Sequence, residues 1–343
     1  MDGVDEQLEA ILAAGAVGVA VATGDVAAAA GVADLGTGEL LSPDHRFRIG
    51  SVTKIFVATL VLQLVADGLI DLDAEAAPFV EGVSVRQLLN HTSGLDDFDI
   101  GPAFWEPFKQ DRTRRWDLST QDELRLALEK PRLFAPGEGW AYHGSNYVTL
   151  RLVVEQATGL TLPDLLRRHI LGPLGLTQTD LVEEPLRGNC ARGYIPSDNP
   201  ILPGAGEPVD VTELDLPFYR TGGGIVSTPR EVARFMRALL GGELLPAEML
   251  AEMLDAVESP WPETDRYGLG VGEISAFMGG VRSPCGPAWG HLGFSLGYVA
   301  VALSSEDGSR QVVLCTNSQP VTEADADVLY DAAGRLLWHL YCS

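Results

Sequence analysis

Ser51 and Lys54 stand three residues apart at the head of an almost wholly apolar segment running from Ile55 to Ala66. On a helix their side chains share a face. That segment has too little polar surface for an exposed helix, so it is expected inside the protein, with Lys54 at the wall of a core. Desolvation disfavours the charged form of a lysine, and a neutral amine can take the proton of a neighbouring hydroxyl. The pattern reads as a nucleophile beside its base. Ser-x-x-Lys also occurs by chance, marking a helix start with a solvated lysine, so further residues have to support the chemistry.

Serine acyl transfer needs a second proton carrier for the leaving group and donors for the oxyanion. Tyr142 is a candidate for the first, between the Pro/Gly turn at 135–139 and the helical pattern that begins near Val148. His291, in His291-Leu292-Gly293 just before the strand pattern at Tyr298, is a candidate for the facing wall. A tyrosine or histidine in such a place is more often structural, and both readings stay open at this level.

These residues need a frame. Val17–Ala22 and Val26–Ala33, joined through Gly24-Asp25, read as a β-hairpin preceded by a helix. From Ser51 to about Leu176 the strong patterns have helical period. Ser227-Thr228-Pro229-Arg230-Glu231 is a capping signature opening a helix through Leu240. Tyr298–Leu303 and Gln311–Asn317 read as a second antiparallel pair, and a last helix covers about Glu323 to Leu340. The expected class is α+β, with one antiparallel sheet built from both termini, flanked by helices and carrying an inserted, mainly helical lobe. Residues 1–57 and 220–343 would form the sheet lobe and 58–219 the helical lobe, with the site in the cleft between them.

At 343 residues the chain can bury a large core, and 46% hydrophobic residues with 38 Gly and 21 Pro indicate a loop-rich globular protein. A formal net charge of -24 repels nucleic acid and anionic membrane, so neither is an expected partner. The partners expected are a small-molecule acyl donor and acceptor, with the protein a monomer. The six histidines and four cysteines show no metal-ligand spacing, so neither metal nor other cofactor is expected. The N-terminal Met1-Asp2-Gly3-Val4-Asp5-Glu6 is acidic where a signal peptide needs positive charge. A cytoplasmic location is expected, or a secreted one if a leader has been removed.

Several ordered motifs resemble the penicillin-recognising serine enzymes: class C β-lactamases, secreted serine-type D-Ala-D-Ala carboxypeptidases, D-aminopeptidases and related esterases. They are Phe47 to Lys54, Gln63 to Asp73, Val85 to Leu95 with its His91-Thr92-Ser93-Gly94, Tyr267-Gly268-Leu269-Gly270, and His291-Leu292-Gly293. The resemblance implies a β-lactamase/transpeptidase-like fold, with Ser51 as nucleophile and Lys54 as base partner. It makes Tyr142 the tyrosine of a Tyr-x-Asn motif and a proton shuttle. His291 becomes the first residue of a Lys/His-Thr-Gly motif, with positive or hydrogen-bonding character. The backbone N–H groups of Ser51 and Phe294 would form the oxyanion hole. It also implies that Cys285 and Cys342 lie close, where the secreted relatives carry a disulfide; in a cytoplasmic protein the pair would stay reduced.

The resemblance places substrate-binding positions at Gly144, Leu292 and Gly293, and the chain departs from it at the first two. Gly144 replaces the asparagine that contacts the acyl-side amide, Leu292 replaces a threonine that contacts a terminal carboxylate, and Gly272-Glu273 stands where arginines serve that same carboxylate. A site without those donors holds a charged terminus poorly. The expectation is a serine hydrolase or acyltransferase acting on a small ester or amide with an uncharged leaving side. Leu292, Phe294 and the aromatic stretch Phe98 to Phe108 are expected to offer an apolar pocket. Two alternatives stand beside it: a D-Ala-D-Ala carboxypeptidase or weak β-lactamase that clamps the carboxylate with Arg192 or Arg282, and a non-catalytic binding protein on the same fold.

Overall fold

A computed structural model describes residues 3–98, 102–111, 118–182, 186–199, 202, 204, 206–214, 221–262, 264–277, 280–320 and 323–343. Its centre is a nine-stranded antiparallel sheet drawn from both ends of the chain. The strands are β1 (Gly18–Thr23), β2 (Ala27–Asp34), β3 (Glu39–Leu40), β4 (Val257–Glu258), β5 (Arg266–Tyr267), β6 (Gly272–Ile274), β7 (Ala288–Ser295), β8 (Tyr298–Ser304) and β9 (Gln311–Thr316). Their spatial order is β3-β2-β1-β9-β8-β7-β6-β5-β4. The terminal hairpins meet where β1 pairs with β9, with Val19 opposite Thr316 and Val21 opposite Leu314.

Helices cover both faces. On one side α1 (Val4–Ala13) and α5 (Glu323–Tyr341) pack together over the sheet. Val4, Leu8 and Ile11 form the buried stripe of α1, at helical spacing. The opposite face carries α2 (Thr53–Ala66) and α4 (Pro229–Leu240). Residues Thr53 to Leu62 of α2 are all buried, as its lack of a polar face requires. Phe56 and Phe235 stack between these two helices with centroids 3.6 Å apart. Thr228 caps α4 by accepting the Glu231 N–H at 3.2 Å, and Pro229 sits in the first turn. Between α2 and α4 in sequence the principal helix is α3 (Ser145–Thr158), packed on α2.

Cys285 and Cys342 form a disulfide, with Cα atoms 5.8 Å apart, that joins the segment before β7 to the end of the chain. Among the described residues no helix is long and apolar enough to cross a membrane.

Candidate active site

Ser51 lies in a single 3-10 turn, Gly50–Val52, that runs directly into α2. Lys54 Nζ is 3.0 Å from Ser51 Oγ and donates to the Gly222 carbonyl at 3.0 Å. Gly222 belongs there for space: a Cβ at that position would sit 3.1 Å from the Lys54 amine. The Ile225 N–H donates to the Thr53 hydroxyl, tying the glycine-rich segment to the start of α2. Lys54 is 4% exposed. Burial brings its pKa down to about 7, against the opposing pull of the Asp97 carboxylate. Near neutral pH a large share of Lys54 is therefore uncharged and able to accept a proton.

Strand β7 passes hard against the same turn. A Cβ on Gly293 would fall 2.0 Å from the Ile49 carbonyl and 3.2 Å from Ser51 N; one on Gly50, whose φ is +51°, would fall 2.6 Å from Phe294 N. Only glycines permit this approach. It brings the backbone of Ser51 and that of Phe294 into one neighbourhood.

The alternation of β7 corrects one expectation. His291 faces the cleft, so Leu292 points the other way, 1% exposed among Val301, Leu314 and Leu336 beneath α1 and α5. The Phe294 side chain packs against that same cluster. Neither side chain lines an apolar substrate pocket, and Leu292 is a core residue, not a substrate contact. Phe104, Trp105 and Phe108 build a separate cluster with Ile195, Val209 and Val211. The 99–101 part of the expected aromatic stretch lies outside the described residues.

Tyr142 reaches the cleft from the segment before α3. Its hydroxyl is 3.5 Å from His291 Nε2, and the Lys54 amine stands 4.8 Å from its ring centre. Burial raises its pKa, with the Ser51 hydroxyl acting in the opposite sense. Tyr147, five residues on, donates instead to the Leu89 carbonyl at 3.2 Å.

His291 donates from Nδ1 to its neighbour's carbonyl, that of Leu292, so Nε2 carries the lone pair. Burial, followed by the proximity of Lys54, lowers its pKa to about 3. The residue is thus a neutral hydrogen-bond acceptor, and the positive character allowed by the sequence is absent. Tyr267 is the better placed donor to that nitrogen, at 3.0 Å. Trp261 stacks on Tyr142 with ring centres 4.6 Å apart and closes the group on its outer side.

The facing wall comes from residues 91–97, which carry no assigned role in the sequence reading. Asp97 accepts from Gly144 N at 3.1 Å, Ser145 N at 2.8 Å and Ser145 Oγ at 2.7 Å, and lies 3.3 Å from His143 Nδ1. These contacts hold its carboxyl well below the usual carboxylate range despite the opposing effect of burial. His91, at φ 63°, accepts through Nδ1 from Asn146 Nδ2 at 2.9 Å and from His143 N at 3.3 Å. Its buried Nε2 has no partner, and its ring lies 4.4 Å from that of Tyr142. Ser93 donates to Asn146 Oδ1. The one available signal was the His91-Thr92-Ser93-Gly94 motif; the partners are about 50 residues away.

The two arginines considered as a carboxylate clamp are engaged elsewhere. Arg192 pairs with Asp210 and Glu213, and Arg282 donates to Ser275 on a two-stranded ribbon beside α5. Glu273 lies 3.7 Å from Arg266.

The model of the beta-lactamase family matches residues 4–335. The chain belongs to that family. Esterase EstB of Burkholderia gladioli is 30% identical over 80% of this chain and 78% of its own length. Penicillin-binding protein 4* of Bacillus subtilis is 25% identical over 87% of the chain, which spans 66% of that protein. The crystal structure of D-amino acid amidase from Ochrobactrum anthropi, complexed with L-phenylalanine amide, superposes with a TM-score of 0.80 at 28% identity, covering 97% of this chain and 98% of that one. This beta-lactamase family member is a serine enzyme of the acyl-enzyme hydrolase and transacylase kind.

Proposed function

We propose that Ser51 attacks a small ester or amide whose leaving side is uncharged, and that the acyl group then passes to water or an amine. Neutral Lys54 accepts the Ser51 proton as the Oγ–carbon bond forms. The N–H groups of Ser51 and Phe294 hold the oxyanion. Collapse breaks the bond to the leaving group, which takes a proton from Tyr142; Lys54 returns one to the tyrosine. His291 serves as a neutral acceptor that positions Tyr142. Desolvated Lys54, 3.0 Å from Ser51 Oγ, carries this reading.

The engagement of Arg192 and Arg282 elsewhere disfavours the carboxypeptidase alternative. A purely binding protein has no need of a lysine held near neutrality beside a serine. Intact-mass measurement after treatment with a fluorophosphonate, p-nitrophenyl esters, β-lactams and D-amino-acid amides tests all three. A single adduct on Ser51 with esters or amides is expected. Stable acylation by a penicillin together with D-Ala release from a D-Ala-D-Ala peptide would favour the carboxypeptidase, and absence of any adduct would favour the binder.

Within this proposal the sheet lobe (1–57 and 220–343) and the helical lobe (58–219) bound the cleft, and the working unit is a monomer. For location, the Cys285–Cys342 bridge favours an oxidising compartment. Titration of two free thiols, Cys190 and Cys315, in the denatured but unreduced protein is the expected result, and four would restore the cytoplasmic reading.

A further inference from the structure

Helix α4 turns Arg230, Arg234 and Arg237 outward, four and three residues apart on one face. They line a groove of about 450 Å³ whose other walls are the β1–β2 turn at Thr23 and Gly24 and the short helix Gly172–Leu174. That volume lies within the range of small-molecule sites. Among the described residues the groove shares none with the Ser51 cleft.

On this acidic chain, Arg86, Arg125, Arg167, Arg192 and Arg335 each pair with a carboxylate. In the groove Arg230 does so, with Asp44 at 3.5 Å, but among the described residues Arg234 and Arg237 have no carboxylate partner. Glu243 also lines the groove. Even so, three arginines meet two carboxylates there, while the whole chain has 48 acidic residues against 24 Lys and Arg. Arg237 is held in place. Its Nε donates to Gln311 Oε1 at 3.3 Å, and the Gln311 side chain, 3% exposed, is fixed by donating to the Gly308 carbonyl. A Cβ on Gly24 would fall 2.1 Å from a terminal nitrogen of Arg237, so the glycine makes room for the guanidinium. With Nε engaged, the two terminal nitrogens remain as donors. Arg234 reaches the other wall, its Nη1 3.8 Å from where a Cβ of Gly175 would lie.

We propose that this groove binds a small phosphate ester, its phosphate between the guanidinium groups of Arg234 and Arg237 and its organic part over Leu174 and Ala233. Guanidinium forks match the oxygens of a phosphate and bind it with charge-assisted hydrogen bonds. The Thr23 hydroxyl accepts from the Val26 N–H at 3.0 Å and keeps its own proton to donate. Pro173, Leu174 and Ala233 supply the apolar surface for the organic part. The ligand is small and soluble, because a net charge of -24 repels an extended anionic surface.

Isothermal titration of the native protein with n-propyl phosphate, near neutral pH and at low ionic strength, is expected to give a Kd below about 1 mM. The uncharged n-propanol should give no binding heat. Arg234→Ala and Arg237→Ala should each weaken the complex by about tenfold or more. Arg125→Ala, on the separate helix Thr120–Leu128, should change it less than about twofold, since only the field of the whole protein is altered. A weaker native complex, an equal loss in Arg125→Ala, or an affinity that neither groove variant changes would overturn the proposal. So would competitive inhibition of p-nitrophenyl ester turnover by n-propyl phosphate with the same constant, which would put the anion in the Ser51 cleft. Vesicles of phosphatidylglycerol test the other source of a phosphate group. No co-sedimentation is expected; binding by the native protein that Arg234→Ala abolishes would assign the arginines to a lipid surface and overturn the soluble ligand.

Discussion

One wall of the cleft is regular structure with scarcely satisfied polar groups; the other is the 91–97 loop laid on the first turn of α3, with densely satisfied ones. On the first, the 50–52 turn, α2 and β7 place Lys54 in an apolar setting where it meets the Ser51 hydroxyl and one carbonyl. On the second, His91, Ser93, Asp97, Asn146 and Ser145 hydrogen-bond one another across about 50 residues of sequence. Desolvation acts on both Lys54 and the less buried Asp97, with opposite outcomes. With few partners it lowers the pKa of Lys54 and prepares a base; with many it is outweighed, and Asp97 stays ionised. The nucleophile and its base are held on regular structure, and the ionised carboxylate is held on the loop.

The largest effects are expected on the reactive wall. Ser51→Ala should abolish both covalent labelling and turnover. Lys54→Arg should lose about a thousandfold in kcat/KM, because a guanidinium does not deprotonate. In the native protein kcat/KM should rise with pH through about 7 as Lys54 loses its proton and then level off. The sign follows from the base being active in its neutral form. A flat profile from pH 5 to 9 would remove Lys54 from the chemistry.

A smaller effect sharpens the account of Tyr142. His291 Nε2 has one lone pair and two tyrosine donors, and Tyr267 at 3.0 Å is nearer than Tyr142 at 3.5 Å. Removing the nearer donor in Tyr267→Phe leaves the lone pair to Tyr142, whose proton is then drawn toward His291 and away from the leaving group. The expected loss in kcat is about tenfold for an amide, which needs that proton. It should be slight for a p-nitrophenyl ester, whose leaving group does not. Equal losses for both would mean that Tyr267 only supports the fold.

Much of this was legible from the chain. Ser51, Lys54, Tyr142 and His291 lie in local motifs, and the hairpins and α4 announce themselves by alternation, turn residues and caps. The short strands β3 to β6 are two or three residues long, too short for alternation to appear. The motif suggests a substrate contact at Leu292, although strand period alone sets it on the face opposite His291. Asp97 has no local signal. Its partner Gly144 comes 47 residues later, and only the fold brings the two together.

The loop wall should show its nature in stability more than in rate. Asn146 sits at its centre, accepting from Ser93 and donating to His91. Asn146→Ala leaves the buried Ser93 hydroxyl without its acceptor, which costs about 1 to 3 kcal/mol, and leaves His91 Nδ1 with only the longer bond from His143 N–H. His91 has φ 63°, a conformation that a β-carbon disfavours, so the network must also hold that strain. The expected result is a clear fall in the denaturation midpoint, with kcat on an activated ester changed less than about threefold, since none of the reacting atoms is touched. Were Asn146→Ala instead to keep its stability and lose its rate, the loop would be part of the chemistry, and the division between a reactive wall and a shaping wall would not stand.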